Sequence, residues 1–300
     1  MEAHGPWLPI TSPRTLRACK DFETRPTDVF VCSYPKSGTT WTQNVLAQII
    51  TALETTATFA HVSDVSPFFE ASSSSLIPSI CAKHETYGRR CFNTHLPWEL
   101  APRGAKYVYV YRDGRDAAVS FYHHLRNQSV DDGGFEGGWD RFFERWIDGQ
   151  IAFGSWFEHV LGWGAAAGEG ADVLAVGYEE LVRDLRGVVE KIADHVLLNA
   201  SPADRGPRLT EAQLDAIAAK CGFDAMKADV DRFQPRSVRW RDPEYCFIRK
   251  GVVGDHRTTM TAAQSAAFEA KAAEAFGPKG VDDAPLFKSR AAPRVDSPHS

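Results

Sequence analysis

The chain has no apolar run approaching the ~18 residues that would cross a membrane. Its N-terminal MEAHGPWLPI lacks a basic region followed by an apolar core, so no signal peptide is expected. It also lacks an excess of basic charge. Its 34 Lys and Arg against 39 Asp and Glu leave a net charge of −5, which argues against general nucleic-acid binding and makes any basic cluster a local feature. Six cysteines, at 19, 32, 81, 91, 221 and 246, form no CxxC pair and no metal-ligand spacing. They read as reduced, mostly buried thiols of a cytoplasmic protein, with no metal site. No segment repeats.

A missing glycine is equally informative. Residues 34–41, YPKSGTTW, lie between the apolar run Val29–Cys32 and a helical pattern opening near Thr39, with Trp41, Val45, Ile49 and Leu53 as a four-residue stripe. The common nucleotide loop, GxxxxGK[ST], needs an upstream Gly and a Lys after its second Gly. Here no Gly stands upstream and Lys36 precedes Gly38. The segment therefore fails as that loop. A helix opening there still offers the unpaired amides of Gly38, Thr39 and Thr40 at its positive end, with Lys36 and the hydroxyls of Ser37, Thr39 and Thr40 beside them. It reads as an anion site, the plainer alternative being a helix cap.

Three further segments favour the anion site. In KYVYVYRDGRDAAVS (106–120) the Val/Tyr alternation predicts a strand, Asp113-Gly114 a turn and Ala117, Phe121 and Leu125 a helix face. Arg112 then stands at the carboxyl end of a strand, where ligands collect in open α/β sheets, with Ser120 in the next helix. The alternative for Arg112 is a surface ion pair with Asp113 or Asp116. In YCFIRKGVVGDHR (245–257), Arg249, Lys250, Gly251 and Gly254 suggest a basic loop whose backbone approaches an anion. In FNTHLP (92–97), His95 ends a strand-like run, where a general base could be mounted. A lone His is more often structural.

The chain resembles the cytosolic sulfotransferases, whose donor is 3'-phosphoadenosine 5'-phosphosulfate. The resemblance rests on YPKSGTTW, THLP (94–97), YRDGRDAAVS (111–120), GSWFEHVLGW (154–163), Tyr178-Glu179-Glu180 and RKGVVGD (249–255), in the family's order over roughly residues 25 to 275. It implies that Lys36 contacts the sulfonate and its leaving oxygen while Ser37, Gly38, Thr39 and Thr40 cradle the 5'-phosphate. Trp41 would stack on adenine, Tyr178 would contact the base, and Phe223 would close over it, with Cys221 where the family carries Thr or Ser. Arg112, Ser120, Arg249, Lys250 and Gly251 would bind the 3'-phosphate, and His95 would take the acceptor's proton. The implied acceptor is a small hydroxylated molecule, phenol or alcohol. Two other readings stay open: a P-loop kinase or NTPase with Asp113 on magnesium, and a catalytically weak donor-binding protein.

Departures from the family's pattern matter. Asn93 stands where the family carries a second Lys, and His256 where it carries Trp. Arg257, Ala262 and Ala266 depart from the family's dimer segment, of which Thr261 remains, so the resemblance does not carry the dimer over.

Strands at 28–33, 90–94, 106–111 and 172–177, alternating with helices, predict an α/β fold: one domain, residues 1–277, with a P-loop-like central parallel sheet flanked by helices. Residues 278–300 read as a loose tail. Thr210 and Gln213 form a capping box. The aromatics between Trp139 and Trp163 read as one core-facing helix. Phe59, Phe68, Phe69, the Ser72–Ser75 run and the Gly-rich segment around Phe135 suit a lid over an apolar acceptor pocket, the equal alternative being solvent loops with their aromatics tucked into the core.

Overall fold

The computed structural model describes residues 6–53, 58–71, 89–197 and 208–288. Four strands, β1 (Val29–Cys32), β2 (Cys91–Thr94), β3 (Lys106–Tyr111) and β4 (Val173–Gly177), form one sheet in the order β2-β1-β3-β4. All pairings are parallel, with Val29 beside Cys91 and Lys106, and Tyr107 beside Val173. Every expected strand is present, β3 over the expected residues and the others trimmed by a residue or two.

Parallel strands need covering on both faces, and the side-chain period of two divides the cover into two cores. Phe30, Phe92, Tyr107 and Tyr109 point into an aromatic core, and Val29, Val31, Val108 and Val110 into an aliphatic one. The helices sort accordingly. They are α1 (Pro13–Lys20), α2 (Thr39–Leu53), α3 (Gly114–Asn127), α4 (Trp139–Ile147), α5 (Trp156–Gly168), α6 (Tyr178–Arg183), α7 (Leu185–Leu197), α8 (Glu211–Lys220), α9 (Phe223–Ala228) and α10 (Ala262–Phe276). Helices α2, α7 and α8 supply the aliphatic side, α4, α5 and α10 the aromatic side. In α2, Val45 and Ile49 are buried as the stripe predicted, while Trp41 and Leu53 at its ends are half-buried. Thr210 caps α8 through the expected box with Gln213.

Two expectations need correction. The aromatic helix is two helices, broken where Gly149, Phe153 and Gly154 adopt φ of 70°, 73° and 72°. Its role as core holds: Phe142, Trp146, Trp156 and Phe157 are buried. Within the expected tail, Gly280–Asp283 and Pro285–Lys288 form helical turns that bury Leu286 and Phe287, with Phe287 4.7 Å from the Tyr111 ring. Two large apolar side chains near the sheet offset the ordering of a short segment. Among the described residues no helix is long and apolar enough to cross a membrane.

Candidate active site

Strands β1, β2 and β3 end on the same side of the sheet, and their carboxyl ends open into a cavity of about 730 Å³. After β1 the chain turns through residues 33–38 into α2. Lys36 has φ 65° and Gly38 φ 110°. A left-handed lysine is a strained backbone, held in place by its surroundings. At Gly38 a Cβ would lie 3.0 Å from the Tyr178 ring, so only glycine fits the bend. The turn leaves the first amides of α2 without intrahelical acceptors at the positive helix end. Lys36, Gly38, Thr39 and Thr40 line the cavity. Ser37 does not: it is buried, and its Oγ has no hydrogen-bond partner among the described residues.

Lys36 Nζ lies 4.1 Å from the Phe247 ring centre. Burial, then the positive charges of Arg112 and Arg249, lower its pKa to about 7. A cation destabilised in this way gains most from an incoming anion.

Arg112, just past β3, clasps the loop. Its guanidinium donates to the Lys36 carbonyl at 3.2 Å and to the Val252 carbonyl at 3.0 Å, and lies 4.2 Å over the Tyr178 ring. Its Nε is buried without a hydrogen-bond partner among the described residues. The anticipated pair with Asp116 exists at 3.8 Å, but it is buried rather than a surface contact. Asp116 has a larger task. It accepts hydrogen bonds from the Gly254 amide (2.7 Å), the His256 amide (3.0 Å) and His256 Nδ1 (2.7 Å), which fasten the basic loop to the start of α3. Asp255 in turn holds Arg249 and Lys250, each at 2.6 Å. Gly251 has φ 66°, and a Cβ there would meet the Phe223 ring at 2.3 Å. Asp113 caps α3 and has both oxygens engaged by Arg115, which leaves the kinase reading no free carboxylate.

Trp41 and Tyr178 meet edge to face at 5.8 Å, and both line the cavity with Phe223 and Ser120. Cys221 lies elsewhere. Its thiol is fully buried and pushed up to about 12 by that burial, and it reaches the site only through its carbonyl, which accepts Trp41 Nε1 at 2.8 Å. It sits at the C-terminal cap of α8, where the backbone rather than the side chain faces Trp41.

His95 follows β2. Its Nδ1 lies 2.8 Å from the Ser33 carbonyl, which can only accept, so Nδ1 carries the proton and Nε2 keeps a lone pair. Burial, opposed by that hydrogen bond and reinforced by the Lys36 charge, lowers its pKa to about 4. Ser33 Oγ is also 2.6 Å from Thr39 Oγ1, so one residue ties the anion loop to the histidine. The His95 amide donates to Glu70 Oε1 at 2.5 Å. Glu70 is fully buried, and burial, against several hydrogen bonds, raises its carboxyl to about 8. Asn93 donates to the Ser66 carbonyl at 2.8 Å.

The cavity wall includes an apolar set, Leu8, Phe68, Phe121, Phe153 and Phe247. The His95 ring is 5.6 Å from Phe68 and 5.2 Å from Phe153. Of the aromatics expected over the acceptor, Phe68 lines the cavity, whereas Phe59, Phe69 and Phe135 are buried in the cores. Residues 72–75 lie outside the described residues. Ser33 and Glu70 escaped sequence reasoning, as did the bracing of the basic loop by Asp116 and Asp255 and the place of Phe153 beside His95. For Asp255 the signal was there, an acid five residues after Lys250. Glu70, inside the apolar FFEA, was the other visible anomaly.

A parallel α/β sheet whose strand ends carry a helix-N-terminal anion loop, an arginine clasp and an enclosed histidine defines a nucleotide-anion enzyme. Comparison narrows this. The family model described as the sulfotransferase domain matches residues 26–279. Sulfotransferase 1C2 of Oryctolagus cuniculus is 33% identical over 256 residues, 82% of each chain. The amine sulfotransferase of the same species is 32% identical over 268 residues, 85% of this chain and 83% of its own. Among solved structures, mouse sulfotransferase SULT7A1, crystallised with PAP, matches with a TM-score of 0.68 and 27% identity over 93% of this chain and 95% of its own. The chain belongs to the sulfotransferase family and is a sulfonate-transferring enzyme.

Proposed function

We propose that the protein transfers sulfonate from 3'-phosphoadenosine 5'-phosphosulfate to a hydroxyl of a small, largely apolar acceptor, a phenol or an alcohol, with His95 as general base. The observation that carries this is the placement of Lys36 and the lone-pair side of His95 in one enclosed cavity, linked through Ser33.

The residues present suit that donor. The Ser37 hydroxyl, in the turn before α2, and the Arg112 Nε are buried polar atoms without hydrogen-bond partners among the described residues. The left-handed Gly38 and Gly251 keep backbone at places a Cβ would fill. Lys36 and the first amides of α2 would hold the sulfonate and the 5'-phosphate, and Arg112, Ser120, Arg249, Lys250 and Gly251 the 3'-phosphate. Trp41, Tyr178 and Phe223 would enclose the adenine. The donor supplies a sulfonate already joined to a good leaving group. The chain's own contribution is then position and charge. Protonated Lys36 would offset charge growing on the leaving oxygen, and neutral His95 would accept the acceptor's proton at Nε2 as the acceptor oxygen bonds to sulfur and the leaving oxygen departs in line. Ser33 holds the imidazole in the right tautomer. The apolar wall excludes water. The free thiols Cys19, Cys32, Cys91, Cys221 and Cys246 support a reducing, cytoplasmic setting.

The test combines purified protein, the donor and a panel of phenols and aliphatic alcohols without magnesium, and follows release of adenosine 3',5'-bisphosphate. Acceptor-dependent release that is lost in Lys36→Ala and His95→Ala is expected. Absence of donor binding overturns the proposal. Donor binding without release to any acceptor favours the weak donor-binding reading.

A further inference from the structure

Along α3 the wall of the cavity carries a polar strip. Ser120, His124 and Gln128 are spaced four residues apart along α3 and its C-cap, so they stack on one face, and all three line the cavity. Ser120 belongs to the donor end. The other two lie progressively farther from it, by ~6 Å of helix rise per step.

Neither is satisfied by the protein. His124 is 9% exposed and Gln128 1%. His124 Nδ1 and Gln128 Oε1 are both buried without a hydrogen-bond partner among the described residues. The rest of the His124 ring is packed against aromatic edges, Trp240 at 5.3 Å and Phe247 at 5.9 Å. Gln128 spends its amide donor on the Asp132 carbonyl, which leaves its oxygen as an acceptor only. A buried polar atom without a partner is costly, so two on one strip call for an explanation.

The charge environment restricts what could satisfy them. Burial, then the charges of Lys36 and His95, keep His124 well below its ordinary pKa and therefore neutral. The charged groups at the cavity rim are already paired, Asp132 with Arg239 at 3.1 Å and Arg236 with Asp64 at 3.0 Å. A neutral group that both donates and accepts fits this strip: a neutral imidazole offers one donor and one acceptor, and Gln128 Oε1 asks for a donor. A hydroxyl does both; an ether or a ketone cannot donate. Phe247, which touches His124 and lies under Lys36 Nζ, keeps the strip close to the reacting end.

We infer that the acceptor carries a second hydroxyl, remote from the one sulfated, that hydrogen-bonds to His124 and Gln128, so that the enzyme selects dihydroxy over monohydroxy acceptors. This rests on the sulfotransfer reading above. A site built to bond a hydroxyl discriminates strongly against the analogue without it, because its own polar atoms stay unpaired.

The experiment compares 2-naphthol with the dihydroxynaphthalene isomers as acceptors. At least one isomer is expected to exceed 2-naphthol in kcat/KM by about tenfold, beyond the factor of two that two equivalent hydroxyls supply. In His124→Phe and in Gln128→Leu that ratio should fall toward the statistical factor, with PAP binding reporting that each variant is folded. A wild-type ratio within about threefold for every isomer, or a ratio unchanged in both variants, overturns the inference. Transfer to 2-naphthol itself reports on the sulfotransfer reading separately. If no acceptor turns over, calorimetric binding of the same pairs to the PAP-loaded protein decides the inference by the same ratio.

Discussion

The two ends of the cavity are built by different means. At the donor end, the polar groups come from short contiguous motifs and are cross-braced: Arg112 to the Lys36 carbonyl, Asp116 to the 254–256 backbone, Asp255 to Arg249 and Lys250. At the acceptor end, Leu8, Phe68, Phe121, Phe153 and Phe247 come from five separate segments and meet through ring packing. An anion site made of main chain and helix ends dictates its own glycines and hydroxyls. An apolar wall asks only for bulk, so its residues can change without disturbing the fold. Residues that main-chain geometry dictates and residues that only fill space are thereby kept apart in one cavity.

His95 sits where the two ends meet, and its removal should give the largest effect. His95→Ala is expected to lower turnover by ~10²–10⁴, while PAP affinity, measured by calorimetry, stays within about threefold because the anion donors lie elsewhere. Turnover surviving within threefold would remove His95 as the base. Gly251→Ala should do the converse. The new Cβ would stand 2.3 Å from Phe223 in a backbone at φ 66°. Relieving both should weaken PAP by about tenfold and leave the ranking of acceptors alone. A variant that binds PAP normally would show that Phe223 has room to retreat.

Charge sharpens the comparison through pH. As the proposed base His95 must be neutral; its pKa is lowered to about 4, so activity should be lost only as pH falls through about 4. Lys36 acts as the cation and titrates at about 7 in the free protein, so kcat/KM for the donor should decline as pH rises through about 7. Donor binding raises the Lys36 pKa. It should therefore take up protons near neutrality, and the affinity for PAP should fall by up to tenfold per pH unit above the lower pKa. The donor end thus sets the alkaline limb and the acceptor end the acid limb. In Lys36→Gln the alkaline dependence of PAP binding should flatten; an unchanged slope would assign it to another group.

The same division explains what could be read in advance. YPKSGTTW, KYVYVYRDGRD and RKGVVGD announce strand ends and anion contacts because main-chain sites need particular residues at fixed spacing. Strand β3 was visible in its Val/Tyr alternation and β1 as a short apolar run between turn signals. The break at Phe153 was not, since aromatic spacing continues across the turn and gives no sign of a left-handed residue. Nor was the burial of Phe287, which depends on Tyr111 and Trp156 being adjacent in space. Glu70 and Ser33 orient His95 from 25 and 62 residues away, a distance no local pattern spans.

Asn93→Lys should give the smallest change and the most direct measure of how the two ends communicate. Asn93 is 7% exposed, lines the cavity, and spends its amide on the Ser66 carbonyl at 2.8 Å. A lysine there loses that bond, at ~1 kcal/mol of stability, and adds a third cation near Lys36 beside Arg112 and Arg249. In the free protein the added charge opposes Lys36, so the alkaline limb should move to lower pH. In the donor complex the same charge faces developing negative charge, so kcat should rise several-fold. The two shifts oppose each other at pH 8; at pH 6, below the Lys36 pKa of about 7, less charge is lost and the gain in kcat should dominate. Measured at both, a gain at pH 6 that shrinks at pH 8 would show that the neutral residue at 93 limits sulfonate stabilisation and spares the charge of Lys36. A loss at pH 6 would mean that the Asn93 bond to Ser66 matters more for the shape of the wall than any charge at this position.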